Sequence, residues 1–180
     1  MKKYFLIPLT LFASLQLLLA DGIEVGKPVP QVSGIDQNEE SVDLGKECSE
    51  GITFIFFYPK ADTPGCTAQA CSMRDSYEML VHKGVKVFGV SYDTPADQKA
   101  FKEKYDLPYE LISDKDKTVS EAFGRGSWAR EAYLIKDGVV IWRDLHAATR
   151  TQAEDVIKAL KANGLMDTGL IAANPSDNPQ

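Results

Sequence analysis

The sequence has few cysteines, few histidines and no excess of basic residues. Its 180 residues include three Cys and two His, and 26 acidic against 20 basic side chains give a formal net charge of −6. So little cysteine excludes a disulfide-dense small domain. Without a basic excess to displace phosphate counterions, we expect no nucleic acid partner. Neither His82 nor His146 has a Cys or His partner at ligand spacing. We therefore expect no metal site and no cofactor.

The rest of the composition is typical of one globular domain. Apolar residues make up 44% of the chain, and 13 Gly and 9 Pro are ordinary numbers for this length. This balance excludes a disordered or collagen-like chain. The length suits a single hydrophobic core, and we see no internal repeat. We expect a folded domain at 21–164 and a loose C-terminal tail at 165–180.

The first twenty residues predict a secretory signal peptide. Lys2 and Lys3 precede an uncharged run rich in Leu and Phe, and the small residue Ala20 stands before Asp21. These three features in this order are typical of a signal peptide, here 1–20 with cleavage after Ala20. A buried N-terminal helix and a retained anchor are the alternatives, but the run is at the short end of spanning length. We expect an exported, periplasmic protein with no stable membrane association after cleavage.

Strand and helix signals alternate along the rest of the chain. The run 51–58 is almost unbroken in its apolar character, which fits a strand buried on both faces of a sheet. Asp137-Gly138 between two apolar runs is a strong hairpin signal. The pattern predicts one α/β sandwich. Its expected strands are 31–35, 41–44, 51–58, 85–92, 111–113, 132–136 and 139–143, and its expected helices are 64–82, 95–105, 118–123 and 151–163.

A cysteine stands where the helix after the buried strand should begin. Thr63 is a good N-cap and Pro64 a good first helical residue, so Cys66 falls in the first turn. Unpaired backbone N–H groups and the helix dipole favour an anion there, so this thiol should ionise more readily than a free one. Because the thiolate is the nucleophile, the position makes Cys66 a candidate for reactivity.

The second cysteine of this helix lies on another face. On a helical wheel Cys66 shares the inward stripe, whereas Cys71 lies about 140° away. Their α-carbons would be roughly 8–9 Å apart in an intact helix, and a disulfide tolerates less than about 7 Å. The two cysteines can therefore form a bridge only if the first turns unwind. A lone cysteine in a helix is ordinarily a small buried hydrophobic residue. A capping residue, a glycine and a second cysteine at the same helix start favour a reactive role for Cys66 instead.

Three cysteines in an exported protein leave at least one thiol unpaired. Cys48 lies in an acidic loop at 45–51, where we interpret it as a spare thiol with some scope for an intermolecular bridge. A thioredoxin-type redox motif has two residues between its cysteines, and this chain has four between Cys66 and Cys71.

The segment 58–71 resembles a known family. The pattern Pro59-x-x-x-Thr63-x-x-Cys66 matches the active-site signature of the peroxiredoxins. With Cys71 five positions further on and Arg-Asp after it, the segment resembles the bacterioferritin-comigratory, or Q-type, subgroup. The similarity runs from about Gly26 to Gly164. It implies a thioredoxin-like fold, with a central mixed sheet and helices on both faces, and a thiol-dependent peroxidase activity.

The resemblance also implies a role for each site residue. Cys66 would be the peroxidatic cysteine and Cys71 the resolving one, forming an intramolecular disulfide. Pro59 would shield the thiolate from water, and Thr63 would hydrogen-bond the sulfur and the peroxide. Arg130 matches an arginine that family members place beside the thiolate, just before a late strand.

Two residues near that arginine depart from the family pattern Arg-x-Ser/Thr-Phe, since Ala132 and Tyr133 take the last two places. This departure predicts weaker hydrogen bonding around Arg130, with Arg125 as the alternative arginine. Trp128 and Tyr133 are either walls of the pocket or core aromatics.

The expected substrates are hydrogen peroxide and small organic hydroperoxides, and a thioredoxin-like dithiol is the expected reductant, acting on a monomer. Two alternatives stay open. One is a thioredoxin-like copper carrier that uses Cys66, Cys71 and His146, because soft thiolates suit cuprous ion. The other is a disulfide exchanger acting on proteins, against which the cysteine spacing argues.

Overall fold

The computed structural model describes residues 22–126 and 128–166. The predicted signal peptide, and residues 167–180 of the predicted tail, lie outside the described residues. The strands are β1 Ser33–Asp36, β2 Ser41–Asp43, β3 Ile52–Phe57, β4 Val85–Ser91, β5 Glu110–Ser113, β6 Ala132–Lys136 and β7 Val139–Asp144. The helices are α1 Leu44–Cys48, α2 Pro64–Asp75, α3 Tyr77–His82, α4 Pro95–Lys104, α5 Thr118–Ala122 and α6 Gln152–Ala162.

The strands form one mixed sheet in the order β2-β1-β5-β4-β3-β6-β7. Strands β3, β4 and β5 run parallel, while β6 pairs antiparallel with β3, and β7 antiparallel with β6. Asp137-Gly138 joins β6 to β7 as the hairpin signal predicted, with positive φ at both residues. The antiparallel pairing of Phe56 with Ala132 puts the start of β6 beside the end of β3. Segments before β6 and after β3 therefore meet at one edge of the sheet.

Two hydrophobic clusters cover the two faces of the sheet. All six residues of β3 are buried, and they point alternately to either side. Phe54 and Phe56 pack with side chains from α2, α3, α4 and α6, such as Met73. Ile55 packs on the other face with side chains from α1 and α5. Sheet and helix layers on both faces confirm the predicted fold class.

The predicted helix 64–82 is wrong as one element, because the chain breaks into α2 and α3 at Ser76, which has φ −110° and ψ 4°. A straight helix of that length would extend about 28 Å, while the six-residue strand β3 spans about 20 Å. The break lets the chain turn back toward β4. Leu80 becomes buried, and the Tyr77 ring packs 5.9 Å from that of Tyr109.

The predicted acidic loop 45–51 contains the short helix α1. The Asp43 carboxylate caps it by accepting a hydrogen bond from the Lys46 N–H at 3.0 Å. Its last residue, Cys48, is fully buried against the sheet. Within 22–126 and 128–166, the helices are too short or too polar to cross a bilayer.

Candidate active site

Cys66 lies in the first turn of α2, as the sequence predicted. The helix begins at Pro64, and the Thr63 carbonyl accepts the first helical hydrogen bond from the Thr67 N–H at 2.8 Å. The Cys66 side chain is 1% exposed and belongs to the cluster on the α2 face of the sheet. The sulfur therefore lies in a sheltered position near the positive end of a helix dipole.

An arginine donates to this sulfur. Nη2 of Arg130 lies 3.3 Å from Sγ of Cys66, although 64 positions separate the two residues. Arg130 stands two residues before β6, at the sheet edge where β3 ends. A guanidinium in this place stabilises negative charge on the sulfur and on any oxygen bound next to it. Nε of Arg130 is buried and has no hydrogen-bond partner among the described residues.

Gly65 makes room for this contact. A Cβ at position 65 would lie 2.7 Å from Nη2 of Arg130 and 3.5 Å from Cγ2 of Thr149. The first distance is shorter than van der Waals contact allows, so any larger residue would displace the guanidinium. The sequence marked this glycine as part of the helix start but did not predict that it makes room for Arg130. A glycine directly after the proline of a helix start was the available signal, since glycine disfavours helix interiors.

The loop 59–63 is tied to the neighbouring parallel strand. The Asp93 carboxylate accepts hydrogen bonds from the Ala61 N–H at 2.7 Å and from the Ser91 hydroxyl at 2.6 Å. Asp93 follows the end of β4, next to the end of β3, which is where parallel strands place their functional loops. Its position after a buried strand was the signal by which it could have been found.

Thr63 and Pro59 both lie in this loop. The prediction that the Thr63 side chain caps α2 is wrong, because its hydroxyl donates instead to the Lys60 carbonyl at 2.9 Å. That bond closes the loop, and Thr63 still occupies the N-cap position with extended backbone dihedrals. Pro59 is half-buried. Its shielding of the sulfur, and the bonds from Thr63 to sulfur and peroxide, stay predictions.

Cys71 is on the same intact helix, half-buried, and both it and Cys66 are free thiols. Several contacts hold this helix to its surroundings. The Tyr109 hydroxyl donates to the Ala70 carbonyl at 2.7 Å, and the Ser72 hydroxyl accepts from the Ala153 N–H of α6 at 3.2 Å. A bridge between the two cysteines would require these bonds to loosen together with the helix.

A pair of buried amides joins the middle of α2 to the start of α6. Nε2 of Gln69 donates to Oε1 of Gln152 at 2.9 Å, and both side chains are fully buried. The remaining atoms, Oε1 of Gln69 and Nε2 of Gln152, have no partner among the described residues. Burying polar atoms without a partner costs free energy, so this contact holds α2 less firmly than an apolar contact would.

Arg125, the alternative arginine, does not reach Cys66. Its buried guanidinium donates to the Ala129 carbonyl and to the Ser120 hydroxyl. In agreement with the weaker hydrogen bonding predicted around Arg130, its buried Nε has no partner among the described residues. The Tyr133 hydroxyl donates to Oε2 of Glu131 at 2.6 Å.

Tyr133 and Cys48 belong to the hydrophobic cluster on the sheet face opposite Cys66. Tyr133 is core, stacked edge-to-face against Phe57, whereas Trp128 is 66% exposed and contacts the Tyr92 ring. Burial raises the pKa of the Cys48 thiol to about 11. Cys48 is a free thiol, as interpreted. It ends α1 instead of lying in a loop, and an intermolecular bridge is disfavoured because the thiol is enclosed and protonated at neutral pH.

A copper carrier would hold a copper ion, which is a cation, beside the Cys66 sulfur. Among residues 22–126 and 128–166, no three His, Cys, Asp or Glu side chains are grouped as metal ligands. The group that contacts the Cys66 sulfur is itself a cation, the Arg130 guanidinium.

A buried cysteine at a helix start, contacted by an arginine, where a central strand of the sheet ends, is an arrangement typical of thiol-based redox sites. Residues 25–143, more than half of the chain, match the AhpC/TSA family model. The chain belongs to the AhpC/TSA family.

Named relatives agree with this assignment. The chain is 41% identical to peroxiredoxin Q of Suaeda salsa over 125 residues, 66% of this chain and 58% of the relative. It is 42% identical to a putative peroxiredoxin bcp of Coxiella burnetii over 102 residues, 57% of this chain and 67% of the relative. The match thus spans little more than half the length of the Suaeda protein.

Solved structures share the fold. Peroxidoxin BcpB of Mycobacterium tuberculosis superimposes with a TM-score of 0.72 and 29% identity, covering 78% of this chain and 97% of that one. Peroxiredoxin Q of Xanthomonas campestris superimposes with a TM-score of 0.71 at 24% identity, covering 78% and 96%. The second likeness concerns the fold alone.

Proposed function

We propose that this protein is a thiol-dependent peroxidase that reduces hydrogen peroxide and organic hydroperoxides. The observation that carries the proposal is the 3.3 Å contact between Nη2 of Arg130 and the sulfur of the buried Cys66 in the first turn of α2. A helix start and a guanidinium both favour the thiolate, which is the reactive form of cysteine. The family and the named relatives support the same activity.

In the first step the Cys66 thiolate attacks one oxygen of the peroxide. The sulfur–oxygen bond forms, the O–O bond breaks, and the other oxygen leaves as hydroxide or alkoxide and takes up a proton. Cysteine is oxidised to sulfenic acid, and the peroxide is reduced to water or an alcohol. Negative charge moves from sulfur to the departing oxygen, so a fixed guanidinium beside both atoms stabilises the transition state more than the ground state.

In the second step the Cys71 thiol displaces the sulfenic oxygen. A sulfur–sulfur bond forms between Cys66 and Cys71, and the oxygen leaves as water. Because an intact helix holds the two cysteines too far apart, this step requires the start of α2 to unwind. A thioredoxin-like dithiol then exchanges with the disulfide, restoring both thiols and becoming oxidised itself.

We also propose that the protein works as an exported monomer, cleaved after Ala20. The sequence of residues 1–20 supports export, and sequencing the N-terminus of protein recovered from the periplasm tests it, with Asp21 expected first. Sedimentation of that same material measures the oligomeric state, and a stable dimer would contradict the proposal.

The proposed activity is tested with Cys66→Ser in a peroxide-consumption assay with an external dithiol. We expect turnover to fall by at least about 10³-fold, because a serine hydroxyl cannot replace the thiolate as nucleophile. Cys48→Ser is the matched control, since its thiol is buried away from the site, and it should keep near-normal turnover. Retained turnover in Cys66→Ser would overturn the assignment of the nucleophile.

A further inference from the structure

We infer that Arg125 is a positioning residue that aims Arg130 at the Cys66 sulfur. Its consequence for peroxide reduction rests on the proposed function. The Arg125 side chain is 6% exposed. Nε lies 3.1 Å from the Ala129 carbonyl oxygen, and Nη2 donates to the same oxygen. The guanidinium thus holds the peptide group that joins residue 129 to Arg130.

The backbone around Arg130 is fixed at three consecutive carbonyls. The Arg130 carbonyl accepts from the Ala147 N–H at 2.9 Å, and the Glu131 carbonyl accepts from the Phe57 N–H at 2.7 Å. These two donors belong to the main chain, whereas the donor to the Ala129 carbonyl is the Arg125 side chain. Among these three carbonyl contacts, only the one from Arg125 depends on the identity of a side chain.

The turn before Arg130 has a long backbone hydrogen bond of its own, from the Ala129 N–H to the Gly126 carbonyl at 3.4 Å, and it includes an unfavourable backbone conformation. Trp128 has a φ of +64°, a left-handed conformation that is unfavourable for any residue other than glycine. Its ring is 66% exposed, so the turn gains little from burying it. A strained turn persists only where surrounding contacts hold it. Here the Arg125 guanidinium holds the Ala129 carbonyl, and the Glu131 carboxylate accepts a hydrogen bond from the Gly126 N–H at 3.2 Å.

The Arg125 guanidinium is itself firmly placed. Nη1 lies 3.2 Å from Oγ of Ser120, and the guanidinium carbon is 5.2 Å from the Phe57 ring centre and 4.8 Å from that of Tyr92. Burial lowers the pKa of Arg125, which means that enclosing this cation costs free energy. An apolar side chain would fill the same space at a smaller cost, so the bonds to the Ala129 carbonyl distinguish Arg125 from a filler of the core.

The test uses Arg125→Met, which keeps an unbranched side chain between the two rings and removes the hydrogen bonds. We expect kcat/KM for hydrogen peroxide to fall about tenfold, because small displacements of a positioned group reduce rates steeply. The alkylation profile of Cys66, which is its rate of reaction with iodoacetamide at neutral pH read by mass spectrometry on the Cys66 peptide, should become slower, because a displaced guanidinium no longer stabilises the reactive thiolate. Arg125→Lys can donate one bond instead of two and should fall between Arg125→Met and the unsubstituted protein.

Two comparisons separate positioning from general destabilisation. Ser120→Ala removes one bond to Arg125 but leaves those to the Ala129 carbonyl, so its alkylation profile should stay unchanged. In an Arg130→Met background, Arg125→Met should cause no further loss, because its effect passes through Arg130. Alkylation reports on Cys66 even if the protein consumes no peroxide, so failure of the proposed function is seen separately.

The inference is overturned by either of two results. One is a folded Arg125→Met protein with an unchanged alkylation profile. The other is an equal loss from Arg125→Met whether or not Arg130 is present. If Arg125→Met does not fold, Arg125→Lys decides the question, since an unchanged alkylation rate in that variant would also overturn the inference.

Discussion

At the scale of single residues, the site depends on a glycine, because any side chain at position 65 would occupy space that Arg130 needs. Gly65 lies in the first turn of α2, and the space where its Cβ would stand is occupied by the Arg130 guanidinium. The obstructing atom is the end of a flexible side chain, so a methyl group there would move the guanidinium and leave the backbone in place.

Gly65→Ala should therefore separate activity from stability. We expect kcat/KM for peroxide to fall about tenfold, because the guanidinium is moved away from the sulfur. The free energy of unfolding should stay the same or rise by up to about 1 kcal/mol, because alanine favours the helix. Steady-state kinetics and urea denaturation measure the two effects. Full activity in this variant would show that the contact between Arg130 and Cys66 is dispensable.

The burial of Cys48 predicts that the free energy of unfolding depends on pH in the alkaline range. Burial raises the pKa of its thiol from 9.0 to about 11. Between pH 9 and pH 11, the Cys48 thiol is therefore protonated in the folded state and ionised in the unfolded state. The stability contributed by this group is thus complete below pH 9 and is lost as the pH rises through 11. The difference corresponds to roughly 2–3 kcal/mol.

Urea denaturation at pH 8 and at pH 11, with reductant present, measures this loss. The unsubstituted protein should lose more stability between the two pH values than Cys48→Ala, whose side chain does not titrate. The quantity to compare is how much the free energy of unfolding of each protein changes between the two pH values. Its absolute value is not compared, because removing the buried sulfur also lowers it at both pH values. Equal losses in the two proteins would contradict the placement of Cys48 in the core.

Single residues were predicted unevenly from the sequence. Capping preferences placed Cys66 in the first turn of a helix, because Pro64 fixes the start from local geometry alone. The same preferences gave the wrong partner for Thr63, whose hydroxyl bonds back to the Lys60 carbonyl. A hydroxyl beside a turn has several acceptors within reach, and the fold of the loop decides among them.

At the scale of elements, the proposed mechanism requires α2 to hold Cys66 during the reaction with peroxide and to unwind when the disulfide with Cys71 forms. The contact of Gln69 with Gln152 bears on this balance, because each buried amide has one atom without a partner in the described residues. Replacing both members of such a pair by apolar side chains is neutral or stabilising, whereas replacing one leaves the other unsatisfied.

The double variant Gln69→Leu with Gln152→Leu should hold α2 in its helical form. We expect the first reaction with peroxide to be unchanged and disulfide formation to slow by about tenfold, which corresponds to about 1.4 kcal/mol. The sulfenic acid then survives longer, so a larger fraction becomes sulfinic acid at high peroxide. Intact-mass analysis over a range of peroxide concentrations measures this fraction.

The single variant Gln69→Leu is the matched control for this prediction. It leaves Gln152 buried without a partner, which destabilises the contact by about 1–3 kcal/mol, so disulfide formation should be no slower than normal. An unchanged sulfinic fraction in the double variant would show that the amide pair does not govern the opening of α2.

Elements with strong local signals were predicted, and those that depend on tertiary packing were not. The apolar run that became β3 is buried at all six residues. The break at Ser76 was missed because its residues are compatible with a continuous helix, and the need to return to the sheet ends α2. Helix α1 was missed because five residues contain too little periodicity to distinguish a helix from a loop.

At the scale of the whole molecule, the sheet order brings the site together. Cys66 follows β3, and Arg130 precedes β6, which is β3's antiparallel neighbour. Local patterns predict strands but not which strands pair, so the sequence placed Arg130 near Cys66 only through the family resemblance. The contact of Arg125 with the Ala129 carbonyl could not be predicted from that resemblance, because it depends on how the turn before β6 folds in this chain.

The reaction proposed for Cys66 and Cys71 is tested most directly by a disulfide map after one equivalent of hydrogen peroxide. Fully reduced protein is treated, blocked with an alkylating agent, digested and analysed by mass spectrometry. We expect an intramolecular bridge between the Cys66 and Cys71 peptides, with the Cys48 peptide carrying a free thiol. A Cys66 peptide left unoxidised, or a bridge that contains Cys48, would contradict the proposed reaction.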